Sequence, residues 1–205
     1  MNLDDYLKVI RADLREMTAY PVQHASGMVK LDAMENPYRL PPWLRTEISD
    51  VIEEAEINRY PDPEAPALKI SLRKLMEVPD CCDLILGNGS DEIISMLANA
   101  VAGPEAVIMS ISPTFVMFKV STLVARARYV GVSVDPDFSL NAGRFVDAMA
   151  QHRPAVVFIA YPNNPTGNLF DENAIELIIK AAPGLVVIDE AYHVFAKRSF
   201  MSRLP

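Results

Sequence analysis

Cysteine is nearly absent from this 205-residue chain, and the only two, Cys81 and Cys82, are adjacent. That spacing builds neither a metal knuckle nor a disulfide framework, and it suits a reducing, cytoplasmic setting. Glycine is scarce at 8 residues against 16 prolines, so stiff turns rather than flexible linkers punctuate the chain. Positive charge is in the minority. With 19 Lys+Arg against 27 Asp+Glu the formal net charge is −8, which disfavours nucleic acid or an anionic membrane as the main partner. No apolar run approaches the roughly 20 residues that span a bilayer. Asp4, Asp5, Lys8, Arg11 and Asp13 interrupt the N-terminus where a secretory leader needs an apolar stretch. What remains is 50% hydrophobic and 22% charged, the composition of a globular chain with a sizeable core.

The pattern changes near residue 83. Before it, Leu7, Ile10, Leu14 and Met17 predict a helix over 4–17. A polar, proline-marked stretch follows, and Pro41-Pro42 then open a second helix with Leu44, Ile48, Val51, Ile52 and Ala55 as its apolar stripe. Arg59-Tyr60-Pro61-Asp62-Pro63 reads as an extended connector, and 65–76 as a third helix. Beyond residue 83, apolar runs at 84–86, 106–109, 129–134, 155–160 and 185–188 alternate with helical patterns at 91–101, 114–124, 142–150 and 172–181. Such alternation predicts an α/β fold with a mostly parallel sheet covered on both faces. Ligands of these sheets sit outside the carboxyl ends of the strands, which directs attention to 87–92, 112–115, 163–167 and 189–192.

Each of these segments has a bland reading beside a chemical one. Gly87-Asn88-Gly89-Ser90-Asp91-Glu92 is a glycine turn into a helix start, an anion site by its free N–H groups or simply a capped turn. It lacks the third glycine of a dinucleotide fingerprint and has no Walker lysine. Asp189 stands where an apolar strand ends, with Glu190 and Tyr192 after it. An acid there could hold a metal, orient a histidine, pair with a protonated ring nitrogen of a cofactor, or cap a turn. His24, His152 and His193 show no ligand spacing, so no metal site is expected. The Asn163-Asn164-Pro165-Thr166-Gly167 loop closes a strand, and its two amides could also donate to a phenolate-like oxygen. Phe115 could stack on a planar ring or belong to the core. Tyr60 is a hydroxyl on a proline-rich connector.

Taken together these residues resemble the fold-type I, class II pyridoxal-phosphate-dependent aminotransferases. The resemblance runs from about Tyr20 to Tyr192. It is carried by Glu35-Asn36-Pro37-Tyr38, Asn58-Arg59-Tyr60-Pro61-Asp62-Pro63, Gly89-Ser90-Asp91-Glu92, Pro113-Thr114-Phe115, Asn163-Asn164-Pro165-Thr166-Gly167 and Asp189-Glu190-Ala191-Tyr192. The first two segments are similar to the histidinol-phosphate branch. The resemblance implies a three-layer αβα large domain over 46–205, preceded by an N-terminal arm and part of a small domain over 1–45. It implies pyridoxal 5'-phosphate as cofactor, and an amino group exchanged between glutamate/2-oxoglutarate and histidinol phosphate/imidazole-acetol phosphate in histidine biosynthesis. It also implies roles. Ser90, Asp91 and Glu92 would hold the cofactor phosphate through backbone N–H groups and side chains, and Phe115 would stack on the ring. Asn164 and Tyr192 would bind the ring's 3′ oxygen, and Asp189 its nitrogen. Tyr60 would reach the cofactor phosphate of a neighbouring subunit in a homodimer. Tyr20 and Asn36 would close over the substrate.

Two departures from the family pattern stand out. Met34 replaces an asparagine usual two positions before Asn36. More important, the aldimine-forming lysine of these enzymes sits in a Ser-Lys element beyond the Asp-Glu-Ala-Tyr motif, and only 16 residues follow Asp189. Lys197 is too close and wrongly flanked, and reads as a solvated loop lysine, so no catalytic residue is identified. The chain is therefore expected to be the N-terminal part of such an enzyme, inactive alone, with an exposed sheet edge that favours self-association. The same residues leave room for a phospho-amino-acid decarboxylase or aromatic aminotransferase, or for a non-catalytic binding or dimerising module. A nicotinamide-binding Rossmann domain is disfavoured by the missing glycine.

Overall fold

The computed structural model describes residues 3–17, 24, 26–29 and 35–204. The chain divides into two compact units, Met1–Ile70 and Ser71–Pro205. The first contains α1 (Leu3–Leu7), α2 (Ala12–Arg15), α3 (Pro42–Glu54) and the start of α4 (Pro66–Leu75), inside which the division falls.

The single helix expected over 4–17 is broken in two. Arg11 is extended ahead of α2, with its guanidinium on the Asp13 carboxylate. Tyr6, Leu7, Val9 and Ile10 are exposed, and a segment this short is marginal as a helix unless packing sustains it. α3 begins at Pro42, where proline's fixed φ and missing N–H cost nothing. Its apolar stripe is nonetheless exposed at Ile48, Val51 and Ile52. The connector after it is irregular rather than extended, with a bend at Arg59 and a turn at Pro63-Glu64 closed by Ala65 N donating to Asp62 O at 3.2 Å.

The second unit runs α5 (Ser90–Ala100), β1 (Val107–Ser112), α6 (Val116–Val124), β2 (Arg128–Ser133), α7 (Ala142–His152), β3 (Val156–Ala160), α8 (Glu172–Ala181), β4 (Leu185–Asp189) and α9 (His193–Ala196), then a short 3₁₀ turn, Met201–Arg203. All strand pairs are parallel, in the order β2-β1-β3-β4. Met109 pairs with Val130 on one side and Val157 on the other, and Val157 with Val186. Alternate residues then point to opposite faces. Met109, Ile111, Val157 and Ile159 join Phe145, Met149, Ile175 and Ile178 of α7 and α8. Ile108, Val156 and Phe158 join Ile94, Ala98 and Phe118 of α5 and α6. This is the expected three-layer αβα arrangement. Each such side chain, once buried, contributes roughly 1.5–3 kcal/mol, which is why these strands read as continuous apolar runs.

One expected strand is absent. Residues 84–86 belong to no helix or strand and pair with no strand among the described residues, and Ile85 is 78% exposed. An apolar run becomes a strand only when a neighbour takes its N–H and C=O groups. β4 likewise has a strand partner on one side only among the described residues, with Leu185 half exposed. Entry to β4 is tight. A Cβ at Gly184 would lie 2.3 Å from the Ala155 carbonyl oxygen, so glycine alone fits there. No helix among the described residues is long and apolar enough to cross a membrane.

The chain leaves β1 outward to β2 and then returns to β3 on β1's other side. That reversal opens a crevice at the carboxyl ends of β1 and β3.

Candidate functional site

A pocket opens at that crevice. Five residues from four separate segments line it: Ser90, Phe115, Asn164, Asp189 and Tyr192. Ala160, Pro162 and Ala191 fill the space between them.

Asp189 ends β4. Its carbonyl accepts from Tyr161 N at 2.9 Å, and its Oδ1 accepts from Ala191 N at 3.0 Å. Burial pushes its carboxyl above the ordinary range, and the nearby Asp91 and Glu190 carboxylates add to the effect; the Ala191 N–H works against it. The charged form of such a carboxyl is stabilised by a cation or a strong N–H donor placed beside it. Asp189 thus caps a turn and still has an unmet electrostatic demand.

α5 starts at the same pocket. Gly89, at φ 84°, precedes it and offers no side chain to cap it, so the N–H groups of the first turn keep their donors for a ligand. The positive φ explains why glycine is needed there. Glu92 Oε2 accepts from Asn88 N, so this carboxylate is engaged with its own turn. Asp91 and Glu92 carry acidic side chains, so attraction for an anion here comes from backbone N–H groups and the Ser90 hydroxyl.

Phe115 sits at the N-cap of α6 in an extended conformation, which is why the helix begins at Val116 and not at Thr114. Its ring meets Phe118 edge-on at 5.7 Å, and Phe118 stacks on Phe158 at 4.8 Å. The pocket wall is therefore backed by core aromatics.

The two asparagines of the β3 loop part company. Asn163 is fully buried. Its Oδ1 accepts from Thr114 Oγ1 at 2.8 Å, while its Nδ2 donates to Pro113 O at 3.0 Å and to Thr166 Oγ1 at 2.7 Å. Only Asn164 lines the pocket. Asn163 instead ties the loop after β1 to the loop after β3, a positioning role that the sequence does not distinguish from its neighbour's. Taken as a set, an acid, an uncapped helix start, an aromatic ring, an amide and a phenol suit a flat ring that bears both a protonated nitrogen and an anionic group.

The sequence pattern of the family described as aminotransferase class I and II matches residues 26–204. The chain belongs to that family. It is 53% identical over 202 residues to "Histidinol-phosphate aminotransferase 2" of Cupriavidus pinatubonensis, an alignment covering 96% of this chain and 55% of that protein. The chain thus spans about half the length of the curated relatives it matches. Among solved structures, the histidinol-phosphate aminotransferase of Clostridium acetobutylicum superposes with a TM-score of 0.73 at 22% identity, over 84% of this chain and 51% of that one. The Sinorhizobium meliloti histidinol-phosphate aminotransferase, solved in complex with pyridoxal-5'-phosphate, gives 0.66 at 22% identity over 74% and 41%. At such identities these two likenesses establish the fold.

The remaining candidate residues of this class I and II aminotransferase chain are not among those that line the pocket. Tyr60 belongs to the first unit and is fully exposed. Asn36, in the same unit, accepts from Tyr38 N at 3.0 Å through its Oδ1. Tyr20 and Met34 lie outside the described residues. In the second unit Lys74, Lys119, Lys180 and Lys197 are all exposed, and none lines the pocket. Lys197 ends α9 in a left-handed conformation, donating its N–H to His193 O at 2.7 Å. His193 packs its Nδ1 2.9 Å from Glu190 O, a local helix-start contact. The described residues contain no group of three metal-ligating side chains. Glu190 accepts from Ser199 Oγ at 2.7 Å and from Phe200 N, which fastens the segment after α9.

Proposed function

We propose that this chain carries the cofactor-holding part of a histidinol-phosphate aminotransferase. With pyridoxal 5'-phosphate bound, such an enzyme moves an amino group between glutamate/2-oxoglutarate and histidinol phosphate/imidazole-acetol phosphate. The observation that carries the reading is the half-buried Asp189 carboxyl at the pocket where α5 begins uncapped. The names and identity of the curated relatives support the substrate assignment. Bound there, the cofactor supplies an electron sink for breaking bonds at the substrate's α-carbon. Asp189 keeps a proton on the ring nitrogen, which maintains that sink. Ser90 and the first N–H groups of α5 hold the phosphate, with Asp91 and Glu92 contributing their backbone. Phe115 orients the ring, and Asn164 and Tyr192 donate to its 3′ oxygen.

The same reading takes the arm over 1–45 as distinct from the cofactor-binding part over 46–205. It places Tyr60 of one subunit at the cofactor phosphate of a homodimer partner, which its full exposure supports. Tyr20 and Asn36 belong to the substrate side. The two exposed or half-exposed thiols Cys81 and Cys82 suit a cytoplasmic enzyme.

Titration of the chain with pyridoxal 5'-phosphate, followed by absorbance, tests the site. Saturable binding that weakens in Asp189→Ala supports it, and binding indifferent to that change refutes it. None of the lysines of the second unit lines the pocket, so borohydride should trap no stoichiometric cofactor adduct on the 205-residue chain. Stoichiometric attachment would overturn that part of the reading. Tyr60→Phe should lower cofactor affinity only where the protein dimerises. In the complete protein, histidinol phosphate should outpace aspartate and phenylalanine as amino donor.

A further inference from the structure

A second chemical feature lies outside the pocket. The Cys81 and Cys82 sulfurs are 3.9 Å apart, with Cys81 exposed and Cys82 half-buried. The turn that carries them is clamped. Cys82 N donates to Pro79 O at 3.0 Å, and the Arg73 guanidinium donates to Pro79 O at 3.0 Å and to Cys82 O. The same guanidinium lies 3.7 Å from the Asp83 carboxylate. Both thiols are thus presented side by side on a backbone fixed at either end.

The spacing favours one chemistry over another. A disulfide needs an S–S bond of about 2.05 Å and usually Cα atoms at least about 4.4 Å apart, whereas neighbours across a trans peptide are held about 3.8 Å apart. A bridging soft atom needs much less movement. Two bonds of about 2.3 Å from such an atom span the observed sulfur gap at an angle of about 116°, and a small side-chain rotation closes the gap to the narrower angle of a pyramidal three-coordinate centre. A linear two-coordinate ion would require sulfurs about 4.6 Å apart. A zinc-like ion wants four ligands, and the described residues contain no third metal-ligating side chain grouped with this pair. A three-coordinate centre that brings one substituent of its own is satisfied by two protein sulfurs.

We propose that Cys81 and Cys82 form a chelating site for trivalent organic arsenicals and similar three-coordinate thiophilic centres. In the binding step two As–O bonds of a dihydroxyarsine break and two As–S bonds form. Each thiol proton leaves with one hydroxyl as water, and arsenic stays trivalent throughout. The site is independent of the aminotransferase reading, because it uses no residue of the pocket.

Phenylarsine oxide, which is a dihydroxyarsine in water, is the probe. Incubated with the 205-residue chain and an excess of 2-mercaptoethanol, it should remain bound at one per chain by intact-mass spectrometry. Both thiols should become unreactive to a thiol-counting reagent, and a dithiol such as dithiothreitol should strip the adduct. Cys81→Ser and Cys82→Ser should each lose the monothiol-resistant adduct. Cys81 is exposed, so its variant keeps the test sound if the Cys82 change perturbs folding. A wild-type adduct that yields to monothiol as readily as the variants' would overturn the proposal. So would an adduct that survives in Cys81→Ser.

Discussion

The two compact units contain helices of similar quality and put them to different use. In Met1–Ile70, α3 carries a clear apolar stripe, yet Trp43, Val51 and Ile52 are more than half exposed, and none of the described residues of this unit is buried. In Ser71–Pro205, helices of equal or shorter length cover both faces of a sheet, and every residue of β3 is buried. The difference shows that amphipathic periodicity sets local conformation, while tertiary stability requires a second surface to receive the apolar face. Side-chain truncation should therefore be costly in one unit and nearly silent in the other.

The largest effect is expected at the centre of the sheet. Phe158→Ala removes a fully buried ring stacked on Phe118 and should cost about 3–5 kcal/mol by denaturant unfolding. Asn163→Ala should follow, at roughly 1–3 kcal/mol, because it removes a buried amide that satisfies the half-buried Thr114 and Thr166 hydroxyls and the Pro113 carbonyl in the two pocket loops. It should also weaken cofactor binding without touching the cofactor. Asp189→Asn is subtler, and its sign depends on pH. Its carboxyl is raised above the ordinary 3.8, so the folded chain keeps this proton to higher pH than the unfolded chain does. Stability is then lost as pH rises from 3.8 through the raised value, and the cost persists in full above it. The amide removes that cost. Thermal unfolding should find Asp189→Asn more stable than the parent near neutral pH and indistinguishable from it in strong acid. Pyridoxal 5'-phosphate should reverse the order at neutral pH. The smallest effect belongs to the first unit, where Val51→Ser should change stability by no more than about 0.5 kcal/mol. A loss comparable to that of Phe158→Ala would erase the contrast between the units.

The same contrast explains what could be read from the sequence. The strands and the helices between them were legible, β1 and β3 most clearly because two-sided burial writes a continuous apolar run, while β2 and β4 at the sheet ends are only partly buried. Five pocket residues were legible as well, since each follows a strand or starts a helix at the carboxyl edge. Two elements misled for a common reason. The 4–17 stripe and the 84–86 run both have the right composition, but neither meets a partner surface or strand among the described residues. Composition records a residue's preference and says nothing of whether a neighbour exists to satisfy it. Asn163 and Asn164 mark the finer limit. Adjacent and chemically identical, they are told apart only by the turn that sends one amide into the protein and leaves the other at the pocket.

That turn also bears on how a ligand is received. Because Asn163 bolts the loop after β1 to the loop after β3, the walls bearing Phe115 and Asn164 form one preassembled jaw. A flat ligand entering it freezes few additional torsions, so little of its contact energy is consumed in ordering the receptor. Association should then resemble docking onto a finished surface, with a single-phase approach to equilibrium. The parent chain should show no slow step of loop closure, and loosening the Asn163 bolt should introduce one.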